Sequence, residues 1–181
     1  MSKTVPTGET HHIRIQLLGG FCVTVGARVI AAAEWRRRKA KSLIKLLALA
    51  HDHRLHREQV IDRLWPDLDL EAAANNLYQV LHIARRILDP TGTQATRYLQ
   101  LRDEVLTLCP EELPWVDVNA FEQAASEARR SQNPAAYQAA LDLYTGDLLP
   151  DDRFDDWVSN RRENLRQEHH NLLRELAQLF E

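Results

Sequence analysis

The segment between Pro66 and Pro90 constrains the fold most, because it predicts one long helix with two unlike faces. Apolar residues recur every three or four positions over 70–88, the spacing that places them on one side of a helix. Asp69 is suited to cap this helix by accepting backbone N–H bonds. The inner face is predicted to consist of Ala74, Leu77, Val80, Leu81, Ala84, Ile87 and Leu88. We therefore expect one side of the helix in a core and the other side free to meet solvent or a partner.

The opposite face of this helix carries a polar stripe that is almost free of acidic residues. Its members are Asn75, Gln79, His82 and Arg86, flanked by Asn76, Tyr78, Ile83 and Arg85. Asn and Gln side chains pair with adenine in the major groove of DNA, His and Arg donate to guanine or to phosphate, and Ile contacts a thymine methyl. An ordinary solvated face mixes Glu with Lys, so this composition favours base reading, although polar helix faces are common.

The residues before this helix predict a small sheet and then two shorter helices. Apolar residues alternate over 13–17 and 21–25, with Gly19-Gly20 between the two runs, and a short run follows at 28–30. This pattern predicts an antiparallel sheet of about three strands. Helices are expected at about 37–50 and 57–65, joined by a polar connector at 51–55.

The residues after the long helix predict a hairpin and then only helices. Strand-like runs at 98–101 and 105–108 enclose a polar tip. Beyond Pro110–Pro114 the expected helices are 118–130, with Asp117 as its cap, then 134–144 behind the cap Asn133, and 155–180. The apolar stripe of the last helix is predicted to contain Trp157, Val158, Leu165, Leu172, Leu176 and either Leu179 or Phe180. Because neither glycine nor proline ends that helix, we expect a piece of a longer protein or a helix that packs against a partner.

The net charge of −3 conceals an uneven distribution of charge along the chain. Residues 1–110 carry 16 Lys and Arg against 11 Asp and Glu, whereas residues 111–181 carry 7 against 15. A positive half is a candidate for polyanion binding, because Lys and Arg beside phosphates release condensed counterions. The alternative is that two surfaces are merely solvated differently.

A basic run, Arg36-Arg37-Arg38-Lys39-Ala40-Lys41, opens the first predicted helix. Positive charge is unfavourable there, because the helix dipole is already positive at its N-terminus. Phosphate oxygens at this position would offset the cost. The alternatives are a solvated basic turn or a run that resembles a nuclear-localisation signal. Trp35 is expected to anchor the turn in the core.

Several other classes of function are disfavoured by the residues. Neither a membrane span nor a signal peptide is encoded, which predicts a cytoplasmic protein with no membrane partner. Cys22 and Cys109 lack disulfide or zinc-site spacing, and Gly19-Gly20 is not followed by the Lys-Ser/Thr of a phosphate loop. His51, Asp52, His53 and His56 form a tight cluster, but without HExxH spacing. We therefore expect no enzyme, no metal and no cofactor.

Two stretches of the chain resemble the parts of a known family. The motifs of the first stretch are LLGGF at 17–21, RRRKAKSLIKLLALA at 36–50, HREQVIDRLWPD at 56–67 and AANNLYQVLHIARRIL at 73–88. Residues 13–108 resemble the DNA-binding domain of the SARP family of bacterial transcriptional activators, itself similar to OmpR-type winged helices. The motifs of the second stretch are WVDVNAFEQAA at 115–125, LDLYTGDLLPD at 141–151 and FDDWVSNRRENL at 154–165. This stretch is similar to the bacterial transcriptional activator domain.

The resemblance implies a fold and a division into domains. It implies an α+β class: an N-terminal winged helix-turn-helix, an OmpR-like DNA-binding domain over 11–110, followed by an all-α, tetratricopeptide-like activator domain over 115–181 that is cut short. The chain departs from the family at His56, where Ser is common, and at Asp103 and Glu104, where the wing is usually aromatic and basic.

The resemblance also implies a function. The third helix would enter the major groove, the hairpin wing would approach the minor groove with Arg97 or Arg102, and binding to repeats in double-stranded promoter DNA would recruit RNA polymerase holoenzyme. The helical domain would serve self-association, as in a homodimer, or partner contacts. The alternative is a protein-interaction module whose winged helix does not bind DNA.

Together these arguments predict a sequence-specific DNA-binding transcriptional activator. The residues expected to contact DNA are Arg36, Arg37, Arg38, Lys39, Lys41, Arg57, Asn75, Asn76, Gln79, His82, Ile83, Arg86, Arg97 and Arg102.

Overall fold

The first sheet is built from strands that alternate between core and solvent. The computed structural model describes residues 12–180. Strands β1 (Ile13–Gln16), β2 (Cys22–Val25) and β3 (Arg28–Ile30) pair antiparallel, as predicted. Ile13 and Ile15 point into the core, while Arg14 and Gln16 face outward.

Three helices follow this sheet with nearly the predicted bounds. They are α1 (Arg38–Leu49), α2 (Arg57–Leu64) and α3 (Leu70–Leu88). The Asp69 carboxylate accepts the backbone N–H of Ala72 at 2.9 Å, which confirms the predicted cap. The buried residues of α3 are Ala73, Leu77, Val80, Leu81, Ala84 and Leu88, while Ala74 and Ile87 are half-buried.

A second sheet packs beside these helices, and one of its strands was missed by the sequence reasoning. Strands β4 (Arg54–His56), β5 (Leu99–Arg102) and β6 (Val105–Leu108) lie in the order β4-β6-β5, with antiparallel pairing. The interpretation of 51–55 as a plain connector was wrong, because a 3₁₀ turn (His51–His53) leads directly into β4. Three residues are too few to show a period, and β4 is defined only by its pairing with β6.

A short helix, α4 (Ala95–Tyr98), replaces the expected start of the hairpin. Tyr98 therefore ends a helix, and the strand begins one residue later than predicted. The strands of the hairpin are joined by Asp103 and Glu104, both with positive φ (50° and 65°). This two-residue turn of the I′ kind matches the twist of the strands it joins.

A two-residue strand corrects the expectation that only helices follow Pro114. Strand β7 (Trp115–Val116) runs parallel to β1, so that the first sheet has the order β3-β2-β1-β7. Helices α5 (Asp117–Ser131), α6 (Pro134–Leu143) and α7 (Asp156–Gln178) complete the chain. The stripe of α7 closes with half-buried Leu179, since Phe180 is exposed.

The helical segment is joined to the first sheet by buried polar contacts. Asp117 is 4% exposed, and its carboxylate accepts the backbone N–H groups of Leu17 and Leu18 at 2.9 and 2.8 Å. It also accepts the N–H of Val118. The prediction that Asp117 caps this helix was wrong, because Asp117 is the first residue of α5 and Val116 occupies the N-cap position. A Cβ placed on Gly146 would lie 2.9 Å from the Cα of Gly19. The two segments therefore meet backbone to backbone.

One continuous hydrophobic core extends from β1 to α7. Trp35 is 6% exposed within it, which confirms the predicted anchor before α1. Across residues 12–180, none of the helices combines the length and apolar character needed to cross a membrane.

Candidate nucleic-acid interface

The outer face of α3 carries the polar stripe predicted from the sequence. Asn75, Gln79, His82 and Arg86 are exposed. Asn76 and Ile83 are half-buried at its margins, and Tyr78 is 50% exposed. The buried face is fully apolar, so the helix cannot rotate to hide the stripe without exposing the core.

Two arginines hold α3 in place, one at its C-terminal end and one on its side. Arg28 donates to the backbone carbonyls of Ile87 and Leu88 at 2.7 and 3.0 Å, which satisfies acceptors at the C-terminus of the helix. The Nε atom of Arg85 donates to the carbonyl of Leu99 at 2.8 Å. Burial lowers the pKa of Arg85. These contacts fix the outer face relative to both sheets.

Sequence reasoning missed the role of Arg28. Its partners lie 59 and 60 residues away, and no local pattern links an arginine in β3 to the end of a distant helix.

A groove runs between the start of α1 and the C-terminal half of α3. It has a volume of about 720 Å³ and lies beside the 3₁₀ turn Ala32–Glu34. Its lining brings together Arg36, Arg37, His82, Ile83, Arg86 and Ile87, together with Ala33, Glu34 and Pro90. The structure therefore joins the first half of the basic run to the predicted stripe.

The second half of the basic run turns toward other parts of the protein. Arg38 pairs with Asp155 at 3.3 Å, although its side chain stays 75% exposed. Lys39 donates to the backbone carbonyl of Leu64, at the end of α2. The Nζ atom of Lys41 lies 5.5 Å from the centre of the Phe21 ring.

The remaining predicted basic residues are paired with acids near the hairpin. Arg57 binds the turn through its backbone N–H, which donates to the Glu104 carbonyl at 2.8 Å, and through an ion pair with the same residue. Arg97 lies 3.7 Å from Glu112. At the end of β5, Arg102 lies 3.7 Å from the Asp103 carboxylate and is 78% exposed.

The histidine cluster between α1 and α2 is dispersed over separate partners. His53 is buried, with Nδ1 3.3 Å from the Leu47 carbonyl oxygen and Nε2 3.4 Å from the side-chain nitrogen of Asn119. His56 caps α2 by accepting the Glu58 N–H at 3.3 Å. Within residues 12–180, no group of three or more His, Cys, Asp or Glu side chains could hold a metal ion.

Comparison with known proteins shows a structural similarity to a solved structure. No protein-family model matches the sequence, and neither does any curated protein. A solved structure of Mycobacterium tuberculosis EmbR, in complex with a low affinity phosphopeptide, is similar, with a TM-score of 0.69 and 18% sequence identity. The likeness covers 90% of this chain, and the chain spans 44% of the EmbR chain. This protein therefore shares a mixed α+β fold with part of EmbR.

Proposed function

We propose that this protein is a sequence-specific DNA-binding regulator of transcription that reads the major groove with α3. The observation that carries the proposal is the outer face of α3, where exposed Asn75, Gln79, His82 and Arg86 stand on a helix fixed at its end by Arg28. Amide side chains on a rigid helix can make paired hydrogen bonds to base edges, and this distinguishes one base pair from another.

The order of elements supports a winged helix-turn-helix. Helices α2 and α3 form the helix-turn-helix, and the β5–β6 hairpin, paired with β4, forms the wing. The fold likeness to EmbR is consistent with this arrangement. The helical segment from α5 to α7 would be the tetratricopeptide-like activator domain implied by the sequence resemblance.

The proposed partners are double-stranded promoter DNA, RNA polymerase holoenzyme and a second copy of the chain. DNA contact is supported by the basic groove beside α3. Polymerase contact and self-association rest on the family resemblance of the helical segment, and they would place the protein in the cytoplasm.

The test is a selection of bound duplexes from a random DNA pool, followed by affinity measurements. Gln79→Ala should lower the preference for one base at one position by about 5- to 150-fold, which corresponds to the loss of a paired contact worth about 1–3 kcal/mol. Gln123→Ala, an exposed glutamine on α5, is the matched control and should keep the full preference.

A failure of the wild-type chain to shift any duplex at low salt would favour the second candidate, a protein-interaction module. Phe154 is 95% exposed between Arg153 and Asp155, and an exposed aromatic side chain is common at protein interfaces. If the wild type binds a partner protein but no DNA, and Phe154→Ala no longer binds that partner, the protein-interaction function is identified.

A further inference from the structure

We propose that the groove between Arg36–Arg37 and Arg86 holds the phosphate backbone of one DNA strand. Base reading then falls to Asn75, in the N-terminal half of α3, and Gln79, at its centre. This inference rests on the DNA-binding function proposed above. It assigns Arg86 to phosphate, a choice that the residue type alone leaves open because arginine donates equally well to guanine.

The first support is the charge of the groove. Three guanidinium groups line it, and none of the three forms an ion pair within residues 12–180. The single carboxylate in the lining, that of Glu34, is engaged by Arg28 at 3.2 Å and by the Ala31 N–H at 3.1 Å. The groove therefore presents more positive charge than its one carboxylate can neutralise.

The other predicted arginines differ in this respect, whereas Lys39 donates to a backbone carbonyl and Lys41 lies beside the Phe21 ring. Arg38, Arg57 and Arg97 each have an acidic partner: Asp155, Glu104 and Glu112. A phosphate would have to compete with these carboxylates, whereas at Arg36, Arg37 and Arg86 it would displace only water. Among the predicted arginines, those of the groove are thus the most favourable for a phosphate to bind.

The second support is the shape of the groove. Its wall is apolar where Ile83, Ile87 and Pro90 line it, and its rim carries the arginines. A nucleic-acid strand has the same alternation, since apolar sugar faces separate the charged phosphates. Arg86 and His82 belong both to this groove and to the outer stripe of α3. An occupant of the groove therefore borders whatever contacts the stripe, which favours one continuous DNA ligand over a separate acidic peptide.

The third support is the length of the stripe. Asn75 and Arg86 are eleven positions apart, which corresponds to about 16 Å along a helix. The major groove is about 12 Å wide, and the bases curve away from a straight helix. A helix centred on Gln79 thus brings its C-terminal end toward a backbone, where Arg36 and Arg37 are also available.

The experiment uses the whole chain and a duplex that the wild-type chain recovers from a random pool. Each phosphate contact contributes about −0.9 to the slope of log affinity against log salt. Arg86→Ala should therefore reduce the magnitude of the slope by about 1, and Arg37→Ala with Arg86→Ala by about 2. Arg86→Lys should keep it, as should Arg174→Ala, an exposed arginine on α7 outside the groove.

A second readout separates phosphate from base. Uncharged methylphosphonates are placed one at a time along the duplex. At the phosphate that Arg86 contacts, the replacement should weaken wild-type binding several-fold and leave Arg86→Ala unchanged. Replacing guanine by 7-deazaguanine, which removes the N7 acceptor, should change the affinity of the wild type and of Arg86→Ala by the same factor. Thermal unfolding of each variant confirms that these exposed substitutions leave the fold intact.

Each contrary result has a defined meaning. If Arg86→Ala abolishes sensitivity to 7-deazaguanine rather than to a methylphosphonate, Arg86 reads a base, and the inference is overturned while the proposed function stands. If the variants bind DNA with the wild-type slope, the groove does not hold DNA, and an acidic peptide becomes its candidate occupant. If the wild-type chain binds no duplex, the proposed function and the inference both fail.

Discussion

At the scale of single residues, buried polar side chains hold the protein together more than its many surface charges do. Asp117 and His53 are each 4% exposed. Asp117 accepts the backbone N–H of Leu18, and His53 contacts the side chain of Asn119 in α5. Such groups are costly to leave without partners, whereas most exposed ion pairs contribute little to stability.

Asp117→Ala should lower the free energy of unfolding by about 3 kcal/mol, because it leaves the buried N–H groups of Leu17 and Leu18 without an acceptor. Urea unfolding at neutral pH measures this. Asp142→Ala, an exposed aspartate on α6, is the control and should cost less than about 1 kcal/mol. Equal losses in the two variants would show that the carboxylate of Asp117 does not hold the strand.

His53 should make the protein less stable as the pH falls through the range near 6.5. Burial lowers the pKa of His53 in the folded state. The unfolded chain therefore takes up a proton at about pH 6.5, while the folded chain does so only at lower pH. The contribution is complete above the unfolded pKa and is lost as the pH falls toward the folded one.

The measurement compares urea unfolding at about pH 7.5 and about pH 5.5 in the wild type and in His53→Asn. Asn is suited to the left-handed backbone of this position, where φ is 56°. The variant should lose less stability between the two conditions than the wild type does. An unchanged loss would assign the pH dependence to other groups, such as His169, whose pKa burial also lowers.

At the scale of elements, the β5–β6 turn combines a suitable geometry with a residue pair other than the favoured Asn-Gly. Asp103 and Glu104 both occupy left-handed backbone, where Asn-Gly is the favoured pair. Asp103→Asn should therefore raise the free energy of unfolding by a few tenths of a kcal/mol. Asp67→Asn removes the same charge from an exposed loop residue and should have no such effect in the same urea assay. Destabilisation by Asp103→Asn would mean that the aspartate carboxylate, rather than the backbone, determines the turn.

Elements with a repeating pattern were predictable from the sequence, and those defined by distant pairing were not. The bounds of α3 were found as predicted, because 19 residues show several periods and a cap. β4 and β7 have three and two residues, and only their partners on β6 and β1 define them. The candidate site follows the same rule. The outer stripe of α3 could be identified from its spacing, but not the acids that engage Arg38 and Arg57.

At the scale of the whole molecule, α1 is joined to the loop before α7 by a buried ion pair. Lys45 is 2% exposed and pairs with Asp152, while the more exposed Arg38 pairs with Asp155 nearby. Burial lowers the pKa of Lys45, and the hydrogen bond to Asp152 acts in the opposite direction. Two ion pairs thus join α1 to the acidic helical segment.

Asp152→Ala should destabilise the protein by about 3–5 kcal/mol, because it leaves the ammonium group of Lys45 buried without its counter-charge. Lys45→Met combined with Asp152→Leu should recover most of this loss, since a well-packed apolar pair can replace a buried ion pair. Asp155→Ala should cost no more than about 1 kcal/mol. Thermal and urea unfolding of the four proteins test the set, and a small effect of Asp152→Ala would show that Lys45 reaches solvent without it.

The parallel pairing of β1 with β7 has a consequence for synthesis on the ribosome. β7 lies about 100 residues after β1 in the chain, and Asp117 lies equally far from the backbone that it binds at Leu17. At about 5–20 residues per second, β1 emerges roughly 5–20 s before the residues that complete its edge. During that time the nascent polypeptide carries an open strand edge, which could pair with other nascent chains on the same polysome. Slower translation would lengthen this interval, so yield should depend on how quickly the ribosome passes residue 117.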